Sequence, residues 1–151
     1  MDYLEIDALV QGIVYCEPAV KQDLGRRFAA YLGLKPGKAG ADGGIDGEGE
    51  INGQRVYFQS KLSKNLLDAS LVAEFWRYLT KYEADIGVML AGAGYTSGFQ
   101  SRLEQFPNID KLKIHLLTLE DIFAETPKFE QAVIDLPPLQ DLSSGKWASL
   151  R

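Results

Sequence analysis

One cysteine, one histidine and no long apolar run in 151 residues close off several chemistries before any motif is read. Cys16 alone cannot form an internal disulfide or a multi-cysteine zinc site, and it reads as a reduced, half-buried small hydrophobe. The lone His115 stands in a short apolar run and reads as a core histidine with a hydrogen-bond partner. No stretch approaches the ~18 apolar residues that a membrane span requires. Asp2, Glu5 and Asp7 stand where a secretory signal would be basic, so a cytoplasmic chain without a membrane partner is expected. Positive charge is scarce as well, and a formal net charge of −5 argues against a generic basic nucleic-acid binder. Its distribution qualifies that argument, because residues 26 to 81 hold nine Lys and Arg against six Asp and Glu. Either a local basic patch or a solvated surface of mixed charge is expected there.

What the chain does have is an alternation of helix-like and strand-like segments, with 46% hydrophobic residues, enough for one core. Ile6, Leu9, Val10, Ile13 and Val14 recur at helical spacing and predict a helix that ends before Pro18. From Pro18, the stripe Val20, Leu24, Phe28, Tyr31 and Leu32 predicts a second helix stopping at Gly33. A glycine-rich loop follows to residue 44. Asn52-Gly53 favours the positive backbone angles of a two-residue turn, so residues 45 to 51 and 54 to 62 should pair as an antiparallel hairpin. The set Leu67, Leu71, Val72, Phe75, Trp76 and Leu79 predicts a helix over 66 to 83, and Ile86 to Ala91 reads as a strand covered on both faces. A helix over 97 to 106, a strand over 113 to 117 and a helix opening at the capping box Thr118-Leu-Glu-Asp121 complete the order. Helices between strands imply a mixed sheet with helices on both faces. The tail from Leu136, with Pro137, Pro138 and Ser-Ser-Gly at 143 to 145, reads as linker-like.

Counting outward from the Asn52-Gly53 turn sets Ile51 opposite Gln54, Glu50 opposite Arg55, Glu48 opposite Tyr57 and Asp46 opposite Gln59. Lys61, two residues on, shares the face of Gln59. The other face should collect Ile45, Ile51, Val56 and Phe58 as the core side. Asp46, Gln59 and Lys61 then converge at one end of the hairpin, beside the glycines at 43, 44 and 47, which allow a phosphate to come close. An exposed Asp–Lys pair with no further role is the plain alternative. The chemical reading is metal-assisted phosphodiester hydrolysis. Mg2+ takes oxygen ligands, here the Asp46 carboxylate, the Gln59 amide oxygen and the Ser60 backbone carbonyl, with Mn2+ as a substitute. Lys61 would stand beside the attacking water and offset charge developing on phosphorus. Gln in place of an acid removes one negative charge; Glu17 is the nearest carboxylate to complete the site, and Gln22 flanks the helix stripe.

Three other patterns carry less. GLKPGKAG has the wrong glycine spacing for a phosphate loop and Ala39 after its lysine, and AGAGYTSG holds only part of the G-x-G-x-x-G nucleotide turn. Asp42, Asp46, Glu48 and Glu50 hint at a calcium loop, yet Gly44 and Gly53 stand where ligands are needed.

The stretch GADGGIDG followed after one hairpin by VYFQSK resembles the Mrr-like branch, with its QxK motif, of the PD-(D/E)xK restriction-endonuclease-like superfamily. Asp46 takes the place of that family's metal-binding Asp, Gln59 of its Glu or Asp, and Lys61 of its catalytic Lys. Where the family often carries a helix Glu, this chain has Gln22. The resemblance runs through IGVMLAGAGYTSGFQSRLEQ and IHLLTLEDI, over residues 18 to 125. It implies an α/β, restriction-endonuclease-like mixed β-sheet flanked by helices, with a nuclease domain over 1 to 135 and a tail over 136 to 151 for an oligomer or DNA contact. It also implies a Mg2+-dependent endonuclease acting on double-stranded DNA, of restriction (defence) or homing type, working as a homodimer or homotetramer. Arg55, Lys64, Lys38 and Lys35 are the candidate DNA-binding residues. A Holliday-junction resolvase-like nuclease and a non-catalytic DNA-binding protein on a nuclease fold are the alternatives.

Overall fold

Two adjacent residues with positive φ set the centre of the fold. Asn52 (φ 53°) and Gly53 (φ 78°) make the tight turn that joins β2 (Gly47–Ile51) to β3 (Gln54–Lys61), and the register runs from Ile51 opposite Gln54 to Gly47 opposite Phe58, as the turn dictates. In the computed structural model, which describes residues 1 to 38 and 45 to 142, this hairpin is part of a five-stranded sheet in the order β1-β2-β3-β4-β5. Asp42, Gly43, Gly44 and the Ser-Ser-Gly at 143 to 145 lie outside the described residues. The short β1 (Lys35–Pro36) adds antiparallel to β2, while β3, β4 (Ile86–Ala91) and β5 (Lys113–Thr118) run parallel. All six residues of β4 are buried, as an uninterrupted apolar strand between two helical layers requires.

The two faces are covered by different helices. Val56 and Phe58 point into one cluster with residues of α1 (Tyr3–Val14), α2 (Pro18–Tyr31), α5 (Leu119–Ala124) and α6 (Pro127–Ile134). Tyr57 and Met89 point into the other, with Val72, Phe75 and Leu79 of α3 (Val72–Lys81) and Phe99 and Leu103 of α4 (Ser97–Leu103). Each large side chain closed off in this way contributes roughly 1.5–3 kcal/mol. Among the described residues, no helix is long and apolar enough to cross a membrane.

Several expectations shift for identifiable reasons. The buried face of α2 is not the Val20 to Leu32 stripe alone: Val20 is exposed, and Gly25, Arg26, Ala29 and Ala30 are buried instead, because small residues let this helix lie close on the sheet. Gly47 has a structural reason, since a β-carbon there would come within 2.5 Å of the Ala29 methyl. The helix expected from residue 66 begins later. Leu67 is held extended by a parallel bridge to Tyr95, and Asp68 caps a 3-10 turn, Ala69–Leu71, by accepting from the Ser70 amide. The helix opening at Thr118 ends at Ala124, and Thr126 with Pro127 starts a second one; Asp121 joins the two, accepting from the Thr118 amide (2.9 Å) and the Thr126 hydroxyl (2.6 Å). Leu136 is buried in the core, and the Gln140 amide donates to the Tyr31 carbonyl, so this part of the tail packs on α2.

His115 has the partner expected of it. Its Nε2 lies 2.7 Å from Asp135 Oδ2, and Lys113 Nζ lies 3.3 Å from Oδ1. Burial opposes ionisation of Asp135, but the hydrogen bonds from His115 and Lys113 outweigh it and hold the carboxyl below its ordinary pKa. A depressed carboxylate stabilises the fold at pH values above its unfolded value, and that contribution is lost as pH falls through the folded value. Asp135→Asn should therefore lower the melting temperature at pH 7 by about 2–4 °C. The gap to wild type should close as the pH is lowered past the ordinary carboxylate value of 3.8 in a series of thermal melts.

Candidate active site

Helix α2 comes so close to β3 at Gly25 that a β-carbon there would sit 2.1 Å from Ser60 Oγ and 3.7 Å from the Asp46 carboxyl carbon. That contact locates the site. Ser60 donates to Asp46 Oδ2 twice, from its amide at 2.7 Å and its hydroxyl at 3.1 Å. The Asp46 amide in turn donates to the Phe58 carbonyl at 3.1 Å, one residue beyond the last strand pair. Asp46 thus stands at a bend where the alternation of β2 breaks. Ile45 consequently packs with the Tyr57 cluster and not with Val56 and Phe58, which corrects the expected assignment. Asp46 is bound to Ser60 and has no contact of this kind with Gln59, the residue expected to face it.

The two faces of β3 divide the polar groups. Gln59, only 3% exposed, donates from Nε2 to Glu74 Oε1 on α3 at 3.3 Å, and Lys61 Nζ lies 3.7 Å from the same oxygen. Gln59 Oε1 is buried and has no hydrogen-bond partner among the described residues. A cavity of about 320 Å3 is lined by Asp46, Gln59, Ser60, Lys61 and Glu74, with Pro18, Lys21 and Gln22 from α2. Burial raises the Asp46 pKa; the Ser60 hydrogen bonds and the charges of Lys61 and Arg26 pull the other way without cancelling it.

An unpartnered buried amide oxygen costs about 1–3 kcal/mol unless something satisfies it. Here it belongs to a residue that lines the same cavity as a half-buried carboxylate. Among the described residues no three His, Cys, Asp or Glu side chains form a metal-binding cluster, so the available donor set is one or two carboxylates plus neutral oxygens. A hard cation that keeps several waters fits such a set, and a thiolate- or imidazole-seeking metal does not.

The other sequence candidates are dispersed. Glu17 is the exposed N-cap position of α2 and does not line the cavity, whereas Gln22 does. Arg55 is at the opposite end of β3 from Lys61 and pairs with Glu83 at 3.4 Å. Lys35 lines a different cavity with Arg55, Glu48 and Glu50; Lys64 lies over the Tyr15 ring; Lys38 is exposed. Arg26, counted in the basic segment, is buried and donates from Nε to the Gly37 carbonyl at 2.6 Å. The basic residues of 26 to 81 do not make one patch. Trp76 is half-buried and stacks on Phe106, as a core residue does.

The family model described as restriction endonuclease (Mrr_cat) matches residues 25–124, well over half of the chain. The chain belongs to the Mrr-type restriction endonuclease family. Comparisons with curated proteins and with solved structures return no match. In this restriction endonuclease domain the matched span opens at Gly25, the residue pressed against Ser60, and closes at the last residue of α5. It includes Asp46, Gln59 and Lys61, and also Glu74, which the sequence reading passed over. The available signal was an acid between Ala73 and Phe75, three residues after Leu71, at the edge of an apolar helical stripe.

The Gly25 contact yields a direct test. Ala favours a helix over Gly by about 1 kcal/mol, so Gly25→Ala on packing-neutral ground would stabilise. Here it should instead destabilise by roughly 1–3 kcal/mol in urea unfolding. In a Ser60→Ala background, with Oγ removed, the same substitution should cost under about 0.5 kcal/mol.

Proposed function

We propose that this restriction endonuclease domain hydrolyses phosphodiester bonds in double-stranded DNA with Mg2+, or Mn2+ in its place, held by Asp46, the amide oxygen of Gln59 and the Ser60 carbonyl. The observation that carries this reading is the buried Gln59 Oε1, without a partner among the described residues, on a residue that lines one cavity with Asp46 and Lys61. Bound there, the cation would polarise the scissile phosphate and lower the pKa of the attacking water.

The chain's own groups supply the rest. Ser60 fixes the Asp46 carboxylate with two hydrogen bonds, so the ligand does not have to be ordered when a cation arrives. Lys61, on the last residue of β3, brings an ammonium to the cavity, where it orients the water and offsets the negative charge that grows on the phosphoryl oxygens. Water adds to phosphorus as the bond to the leaving oxygen breaks, and that oxygen takes up a proton. Lys21 and Gln22 on α2 line the same opening and are suited to hold the DNA backbone. One such site serves one strand, so a cut through both strands calls for two copies related by a two-fold axis, a homodimer or a homotetramer. Restriction of foreign DNA and site-specific homing share this chemistry.

Supercoiled plasmid and genomic DNA incubated with Mg2+ should be nicked or cut, and EDTA should stop the reaction. Lys61→Ala should slow cleavage by about a hundred- to a thousand-fold. Asp46→Asn should abolish Mg2+ binding in calorimetry. Equal Mg2+ affinity in wild type and Asp46→Asn would refute the metal site, and DNA binding without cleavage, unchanged in Lys61→Ala, would leave a binding protein on a nuclease fold.

A further inference from the structure

The two ends of a glutamine amide are nearly the same shape, so its orientation is set by what each end meets. The Gln59 amide is buried, and its neighbour on α3 is a carboxylate, which accepts hydrogen bonds and cannot donate them. Glu74 Oε1 therefore takes the nitrogen end, at 3.3 Å, and the oxygen end is left without a partner among the described residues. A neutral residue at position 74 that could donate would impose no such choice. The same Glu74 oxygen lies 3.7 Å from the Lys61 ammonium. Both side chains of that pair are about a third exposed, so water screens it and its value to fold stability is small. Its geometric value is larger, because one carboxylate contacts two of the groups that line the cavity.

The charge arrangement agrees. Gln59 stands one charge short of an acid, and a carboxylate lies within hydrogen-bonding distance of its amide nitrogen. The negative charge is not missing from the cavity; it has moved from the strand to the helix facing it. An acid at 59 beside Glu74 would place two carboxylates in contact, which burial penalises unless they share a proton. Gln59 and Glu74 are thus complementary as they stand, with one donor facing one acceptor.

We propose that Glu74 is a positioning residue of the site: it orients the Gln59 amide so that the oxygen is free for the cation, anchors the Lys61 ammonium, and supplies the second negative charge of the cavity. The proposal rests on the metal-site reading above. It assigns to α3 the compensating acid that the sequence placed at Glu17.

The test is Mg2+ binding by calorimetry, with thermal melts of each variant to show that it is folded. Glu74→Gln, isosteric and on a partly exposed side chain, should weaken Mg2+ affinity by about ten- to a hundred-fold, since it removes the charge and lets the introduced amide donate to Gln59 Oε1. Exchanging the pair, in the double variant Gln59→Glu/Glu74→Gln, restores one donor facing one acceptor, and Mg2+ affinity should return to within about threefold of wild type. A role in stability alone would move the thermal melts and leave the Mg2+ affinity of the folded variants unchanged. Unchanged affinity in Glu74→Gln alongside lost binding in Asp46→Asn would overturn the role of Glu74 and leave the metal site standing. An impaired, folded Glu74→Gln that the exchange does not restore would also overturn it. If neither Asp46→Asn nor Glu74→Gln altered Mg2+ binding, the failure would lie with the metal-site reading itself.

Discussion

The contact between Gly25 and Ser60 is the constraint on which the site depends. With no side chain at 25, α2 lies directly on β3, and the Ser60 hydroxyl occupies the space that a methyl would take. Ser60 is thereby confined where its hydroxyl and amide both reach Asp46. The close approach extends along the helix, since Ala29 meets Gly47 in the same manner. Moving α2 outward by the width of one methyl would relax both contacts together. The floor of the cavity and the packing of this face are consequently one feature, and not a site placed on an independent scaffold.

Polar groups are distributed around that floor with a clear division. On the α2 side, Asp46 is satisfied by Ser60, yet burial still raises its pKa, so its charged form lacks full compensation from the protein. On the α3 side, Gln59 has a donor in use and an acceptor that is not. Both are small local costs of a kind that folding alone does not favour. Asp121, also buried, is by contrast fully engaged, joining two helix caps through Thr118 and Thr126. The contrast separates a residue that stitches two helix caps from two residues whose polar groups the described protein leaves under-compensated.

Much of this was legible in the sequence, wherever local rules decide. Asn52-Gly53 determined the turn type, and the turn determined the register, so the pairs from Ile51–Gln54 to Glu48–Tyr57 could be counted. The apolar run of β4 and the capping box at Thr118 were equally local. Legibility ended where tertiary packing overrides periodicity. The stripe of α2 pointed to Val20, but closeness to the sheet selected Gly25 and Ala29. Leu67 fitted a helical pattern, yet a bridge to Tyr95 holds it extended. The register predicted Asp46 against Gln59, and the bend at Asp46 turned its carboxylate to Ser60 instead. Glu74 showed in the sequence only as an acid at the edge of an apolar stripe, and its partners Gln59 and Lys61 emerged once the crossover helix was laid over β3.

The Asn52-Gly53 turn also bears on the order in which the site can be assembled. Asp46, Gln59, Ser60 and Lys61 lie on the two arms of one tight hairpin, a structure that forms on a timescale of roughly 1–10 μs once its strands are available. Glu74 follows on the next helix, so these groups are brought together by short loop closures. Gly25 and the cavity-lining Pro18, Lys21 and Gln22 come from farther back in the chain, on a helix that precedes the hairpin. During synthesis α2 is therefore already present when β3 emerges, and the hairpin can close against it before β4 and β5 exist. The hairpin side of the cavity is in this sense an early and local product of folding, and the parallel half of the sheet is added behind it.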